Sequence, residues 1–359
     1  MTFFSTGVGR RRVLRVALLS AILSTPVALP RFTASAHTSL VKPPYILGVS
    51  NTLVGNGWRE EMICAVKAEA LASGKVKKVV AHNINGGAAE QINGIRTLIS
   101  AGANAIIINP SDPKALNPVI KQATDRGVVI VTVDQLVTSP LAYQAENDQV
   151  AYGRVGMEWL AKKLGGKGNV VLLRGIAGVP ADTDRETGVK QALAKYPGIK
   201  VIAEVFTNWQ GAPAAKQMLD LLNAHNNIDG VWTSGTDYTV VNAFATAKRK
   251  YVPVVGADNN EFVHQLITLH SKGFEGAAVT NPPPIGGVGA SLALSILEGK
   301  TVPRITKLTP EVWDYAHSAA TLKSVYAPTQ GPAYGVQWGV KPFTHYTQQQ
   351  LFSCQGPKG

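Results

Sequence analysis

Three short apolar runs each end on a polar residue suited to hydrogen bonding. Ile107-Ile108 leads into Asn109, Val131-Thr132-Val133 into Asp134, and Val254-Val255-Gly256-Ala257 into Asp258. Asn56, Arg185 and Asn281 follow other runs of the same kind. An ionised carboxylate accepts, an amide both donates and accepts, and a guanidinium donates through a rigid planar fork. Together they could hold a small polar ligand by hydrogen bonds, with no covalent bond made or broken. Each position also has a purely structural use. Asp134 and Asp258 can cap a following helix or turn, and Asn109 before Pro110 can form an Asx-turn. Arg185 has salt partners in Asp184 and Glu186, and Asn281 can serve as a hinge.

Patterns that would signal catalysis are missing. Gly55-Asn56-Gly57 begins like a dinucleotide fingerprint, but the third glycine is absent and Trp58-Arg59 occupies the place where backbone must approach a pyrophosphate. His82-Asn83, not an acid, ends the second run. There is no G-x-x-x-x-G-K-[ST], H-E-x-x-H or G-x-S-x-G, and His264 and His270 lack the i,i+4 spacing of a metal pair. The reading is a binding protein that is no enzyme, with no cofactor and no metal.

Positioning these residues falls to alternating strands and helices. Apolar, β-branched runs occur at Tyr45–Val49, Lys78–Val80, Ala105–Ile108, Val128–Val133, Val170–Leu173, Val201–Val205, Gly230–Trp232, Val252–Val255 and Gly276–Val279. Those in the first half lack alternation and read as parallel strands buried on both faces. Between them lie helical faces: Ile92/Ile95/Ile99, Leu116/Val119/Ile120/Ala123 and Ala215/Met218/Leu219/Leu222. Gly74, Gly102, Gly127 and Pro197-Gly198 mark helix ends. The pattern predicts an α/β fold of doubly wound parallel sheets, whose ligand crevice lies at the carboxyl ends of the strands.

Two seams interrupt it. One is near Asn147-Asp148. The other is Asn281-Pro282-Pro283-Pro284, which no central strand or helix interior tolerates; a helix restarts at Ile285 and stops at Gly299. The last 50 or so residues lose the rhythm yet hold Trp313, Tyr315, Tyr326, Tyr334, Trp338, Phe343 and Tyr346, which argues for an ordered extension rather than disorder. Cys64 and Cys354 are either a disulfide tying that extension back to the first lobe or two free thiols.

Residues 1–36 read as a secretory signal. Arg10, Arg11, Arg12 and Arg15 precede an apolar stretch from Val16 to Leu29, and Ala34-Ser35-Ala36 is a small-residue cleavage site. Arg10-Arg11-Arg12-Val13-Leu14 also fits a twin-arginine signal. The formal charge of +12 includes five arginines in this segment, unopposed by any acid, so the mature chain carries +7. Its longest basic cluster is Lys248-Arg249-Lys250, too sparse for a nucleic-acid surface.

In their order and spacing these stretches resemble the type I periplasmic binding proteins of sugar ABC transporters, the ribose-binding group most closely. The stretches are Ile107-Ile108-Asn109-Pro110-Ser111-Asp112, Val131–Asp134, Arg174-Gly175-Ile176-Ala177-Gly178 with Arg185 and Gly188, and Val254–Asp258. The resemblance spans residues 45–308. It implies two lobes joined by a multi-strand hinge near Asn147, Asn281 and Lys307: 37–147 with 282–308, and 148–281, followed by an extension over 309–359. It implies ligand contact for Asn56, Asn109, Asp134, Arg185, Asp258 and Asn281. It also places ring stacking at Trp58 and Trp209 and further polar contacts at Gln135, Asn147 and Asp237, although the tryptophans also suit a core and the polar residues a scaffold. The implied role is a monomer in the periplasm that closes on a monosaccharide or polyol and delivers it to an ABC transporter permease. The alternative is a sensor that presents its solute, for example a furanosyl quorum signal, to a chemoreceptor or sensor kinase. The chain departs from the ribose pattern at Gln135, where that group has arginine, at Trp58-Arg59, where it has two aromatics, and in the length of the Thr233–Thr236 loop. These changes point away from ribose itself. Transcription regulators with the same two-lobe sensor begin with a helix-turn-helix, where this chain has the signal.

Overall fold

A computed structural model describes residues 42–357; the signal, its twin-arginine motif and the cleavage site lie outside the described residues. Two six-stranded sheets organise the chain. The first is built from β1 (Tyr45–Asn51), β2 (Val76–Asn83), β3 (Ala105–Ile108), β4 (Val129–Asp134), β5 (Tyr143–Asn147) and β11 (Ile305–Leu308), in the order β11-β5-β4-β3-β1-β2. All its pairings are parallel. The second takes β6 (Lys167–Arg174), β7 (Gly198–Phe206), β8 (Gly230–Thr233), β9 (Val254–Ala257), β10 (Gly276–Val279) and β12 (Val312–Asp314), in the order β12-β10-β9-β8-β6-β7. Its pairings are parallel except for β12, which is antiparallel to β10.

Three strands escape the apolar-run reading. β5 carries Gln144, Glu146 and Asn147, β11 is an edge strand with Lys307, and β12 is three residues long. β12, within the C-terminal extension, adds a strand to the edge of the second sheet. β2 also differs from expectation: it is an edge, and Lys77 and Lys78 are exposed instead of buried between helix layers. β1, β3 and β4 are covered on both faces.

The helices cover both faces of each sheet. On the first, α1 (Gly57–Ser73) and α9 (Ile285–Leu297) pack beside one another over Leu47, Val49, Val131 and Val133. On the other face α2 (Ala88–Ser100) and α3 (Asn117–Thr124) bury Ile95, Leu98, Val119 and Ile120 against Ile106, Ile108 and Ile130. α9 starts at Ile285, where the three prolines release the chain into the first lobe.

Around the second sheet, α4 (Gln149–Lys163) and α5 (Pro180–Leu193) cover one face. α6 (Gly211–Ala224), α7 (Asp237–Thr246) and α8 (Asn260–Thr268) cover the other. The buried stripe of α6 is Ala214, Met218, Leu221 and Leu222, rotated slightly from the predicted face, with Ala215 and Leu219 at its margin. α4 and α5 touch backbone to backbone: a Cβ on Gly153 would fall 1.9 Å from the Arg185 carbonyl, and one on Gly188 2.0 Å from the Val150 carbonyl. That approach fixes where Arg185 enters the cleft.

The chain crosses between the sheets after β5, between β10 and α9, and between β11 and β12. The last stretch crosses once more. α10 (Tyr315–Val325) packs on α8, and α11 (Gln348–Ser353) packs on α1, where Cys354 is disulfide-bonded to Cys64 with a Cα–Cα distance of 4.5 Å. Among the described residues no helix is long and apolar enough to cross a membrane.

Candidate functional site

A cavity of about 140 Å³ lies where the carboxyl ends of the two sheets face each other. That is below the roughly 300–1,000 Å³ of sites for drug-sized molecules, so it favours a compact ligand. Its walls include Asn56, Trp58, Asp134, Arg185, Trp209, Asp258 and Asn281. They come from the α1 N-terminus, the end of β4, α5, the loop after β7, the end of β9 and the loop after β10.

Each side chain has an identifiable anchor. Asn56 caps α1 by accepting from the Arg59 amide at 3.1 Å and reaches across the cleft, its Nδ2 donating to the Trp209 carbonyl at 3.0 Å. Trp58 Nε1 donates to the Asn281 carbonyl at 2.6 Å. Trp209 adopts a positive φ of 52°, and its Nε1 donates to the Ser234 carbonyl at 2.7 Å. Asp134, also at positive φ (72°), ends β4 with Oδ1 accepting from Asn147 Nδ2 (2.9 Å) and Gln149 Nε2 (2.7 Å). Arg185 donates from Nε to Gln149 Oε1 (2.7 Å) and from Nη1 to the Ser234 carbonyl (2.8 Å), with its guanidinium 4.0 Å from the centre of the Tyr152 ring.

Burial dominates the electrostatics. It pushes the Asp134 carboxyl above the usual carboxylate range, against the opposing charges of Arg185 and Arg59. It raises Asp258 in the same way, against hydrogen bonds from Gln337 and the Asn281 amide. The Arg59 guanidinium is itself pushed down to about 10 by burial, with Asp134 acting in the opposite sense. The cavity thus offers two desolvated carboxyls and two desolvated guanidiniums, able to make charge-assisted hydrogen bonds with little competition from water.

Four of the residues expected at the ligand do not line the cavity. Asn109 is fully buried behind it and accepts from Gln135 Nε2 at 2.6 Å. Gln135 spends its side chain on the lobe junction, where its Oε1 accepts from the Ala181 amide at 2.7 Å. Asn147 supports Asp134 from the hinge strand. Asp237 lies beneath the strand ends and accepts from Thr233 Oγ1 (2.7 Å), the Ala257 amide (2.9 Å) and Asn259 Nδ2. All four hold a neighbour of the cavity in place, a role that residue type and strand-end position cannot separate from direct contact.

Other wall residues had no clear signal. In the sequence Arg59 breaks an aromatic pair and a dinucleotide fingerprint, and neither marks it as a wall residue. In the structure it is buried, donates to Asn51 Oδ1 at 3.2 Å and lines the cavity. Ser234, Tyr238 and Asn259 complete the second lobe's side, and Ala333 and Gly335 of the C-terminal stretch close another. Gln149 bridges Asp134 and Arg185, yet reads in sequence as an ordinary first residue of a helix. Among the described residues no cluster of His, Cys, Asp or Glu is arranged to hold a metal ion.

Residues 47–301 match the family described as periplasmic binding protein domain. A xylitol-binding protein of Mycolicibacterium smegmatis is 32% identical over 242 residues, covering 64% of this chain and 69% of that protein. The ribose import binding protein of Escherichia coli is 28% identical over 218 residues, covering 60% of this chain and 72% of that protein. An ABC transporter solute binding protein from Thermobispora bispora superposes with a TM-score of 0.75 at 28% identity, covering 86% of this chain and 94% of that structure.

Proposed function

The chain belongs to the periplasmic binding protein family, of the type that serves sugar ABC transporters, and on that premise we propose that it captures a small sugar or polyol by hinge closure and delivers it to a membrane permease. The observation that carries this is the cavity between the sheets. Carboxylates from both lobes, Asp134 and Asp258, share it with Arg185, Asn281 and two indole rings. Hydroxyls both donate and accept, so a polyhydroxyl ligand satisfies all these groups at once, and its C–H faces lie against Trp58 and Trp209. The small volume and the xylitol- and ribose-binding relatives favour a pentitol or pentose.

The mechanism is a population shift. Open and closed forms interconvert by bending at the inter-lobe crossings near Asn147, Asn281 and Lys307. Residues 37–147 with 282–308 move against 148–281. A ligand that touches both lobes binds the closed form better and draws the equilibrium toward it. The permease reads the closed outer surface. The protein acts as a monomer, exported to the periplasm by the signal in residues 1–36.

A thermal-shift screen of the mature chain against pentoses, hexoses, polyols, nucleosides and amino acids tests this. A true ligand at about 100 times its Kd adds about 2.7 kcal/mol and raises the melting temperature by several degrees. A hit confined to amino acids or nucleosides would keep the two-lobe receptor and remove the sugar assignment.

A further inference from the structure

The C-terminal stretch lies beyond residue 301, outside the part of the chain that the family model matches, and it is built into the cavity. Its first half is sewn to the second lobe. The Ala327 amide and carbonyl pair with the Asn260 side chain at 3.1 and 2.9 Å, and the Asn260 amide donates to the Tyr334 carbonyl at 2.7 Å. The Val336 amide donates to the Asp258 carbonyl at 3.1 Å. Its second half is sewn to the first lobe. His345 meets the buried Glu69 through both its amide (2.8 Å) and its ring Nδ1 (2.7 Å). Leu351 packs on Cys64 and Ala65, and the Cys64–Cys354 bond closes the end.

Between the halves the strap passes along the cavity. A Cβ on Gly57 would fall 2.8 Å from the Ala333 carbonyl group, and one on Gly335 would fall 2.5 Å from Pro283 Cδ. Only glycine at these two places lets the strap lie against both the α1 N-terminus and the Pro282–Pro284 crossover. The Gly335 amide donates to the buried Glu61 Oε2 at 2.7 Å. Gln337 Nε2 donates to Asp258 Oδ2 at 2.7 Å, while Oδ1 of the same carboxylate accepts from the Asn281 amide at 2.9 Å. The plane of the Asp258 carboxylate is therefore set jointly by the hinge crossing and the strap.

We propose that residues 327–354 form a strap, pinned by the Cys64–Cys354 disulfide, that is a fixed wall of the ligand cavity, with Gln337 the positioning residue that orients Asp258 and so helps decide which polyhydroxyl ligand fits. The ligand part rests on the sugar or polyol reading above; the pinning part does not.

Two arms keep them apart. The first needs no ligand: hydrogen–deuterium exchange of the mature chain, compared with a Cys64→Ser/Cys354→Ser double variant and with folded wild type reduced by a phosphine. Breaking the bond accelerates exchange over residues 333–340, and with them over 56–59 and 258–260, while α2 and α3 stay unchanged. Faster exchange confined to residues 345–357 overturns the strap as a wall governed by the bond. The second arm titrates xylitol, D-ribose and glycerol into wild type and Gln337→Ala. Removing the positioning bond changes the ratios among the three affinities by at least about threefold, the scale of one hydrogen bond's net contribution. A uniform loss, or no change, overturns the positioning role. If wild type binds none of the three, the same ratios are measured with two hits of the thermal-shift screen, and ratios unchanged by Gln337→Ala overturn the positioning role.

Discussion

Asp134 of the first lobe and Arg185 of the second are joined through a single amide: Gln149 donates to the Asp134 carboxylate and accepts from the Arg185 guanidinium, each at 2.7 Å. A neutral relay lets two opposite charges face one cavity without consuming each other. Asp134 keeps accepting capacity and Arg185 keeps donors for a third party. Gln149 is buried, so its loss removes one hydrogen bond from each charge with no water to replace it, leaving Asp134 with Asn147 and Arg185 with the Ser234 carbonyl.

Gln149→Leu therefore weakens ligand binding by about tenfold or more, the cost of leaving buried polar groups unsatisfied. Calorimetric titration of the screen's hit checks it. Unchanged affinity would reduce Gln149 to a packing residue.

Arg59 acts on Asp134 through charge, opposing the upward push of burial. Arg185 opposes it more strongly and stays in place, but Arg59→Met removes part of the opposition, so Asp134 takes up its proton at higher pH. A protonated carboxyl is a poorer acceptor for ligand hydroxyls. The acid limb of the affinity–pH profile accordingly moves to higher pH in the variant, as titrations from pH 4 to 8 would record. A profile identical to wild type would separate Arg59 from the site's electrostatics.

Asp237 gives a prediction about stability. Burial holds its carboxyl up to about 6, against roughly 4 in an unfolded chain. The folded state binds this proton more tightly, so its contribution to stability is fully present below the unfolded value and is lost as pH rises through the folded one. Asp237→Asn does not titrate. The urea midpoint of wild type should fall relative to that of the variant between about pH 4 and 6 and run parallel to it above about pH 7. A constant difference across the range would contradict the assignment.

Most of the architecture is readable from residue patterns, because buried parallel strands such as Ala105–Ile108 are written as unbroken apolar runs and the triproline crossover is unmistakable. β5, β11 and β12 are not, because a strand beside a hinge or at a sheet edge carries Gln, Glu, Lys and Asp that mask its period. At the site, residues at strand ends are easy to nominate and hard to rank. Asp134 and Asp258 line the cavity, whereas Asn109, directly after β3, and Asp237, at the start of α7, lie behind it. The difference is one layer of packing, set by contacts between distant segments. The strap is the extreme case. Gln337 lies 79 positions from Asp258, and nothing local to either residue announces that they meet.

One small polyhydroxyl ligand held by both lobes together needs a contact from each. The most direct test titrates the screen's hit into wild type, Asp134→Ala and Asp258→Ala, one variant from each lobe. Each substitution alone lowers affinity by more than about tenfold, with the fold intact by circular dichroism. Affinity that survives either substitution would place the ligand on one lobe and contradict closure around it.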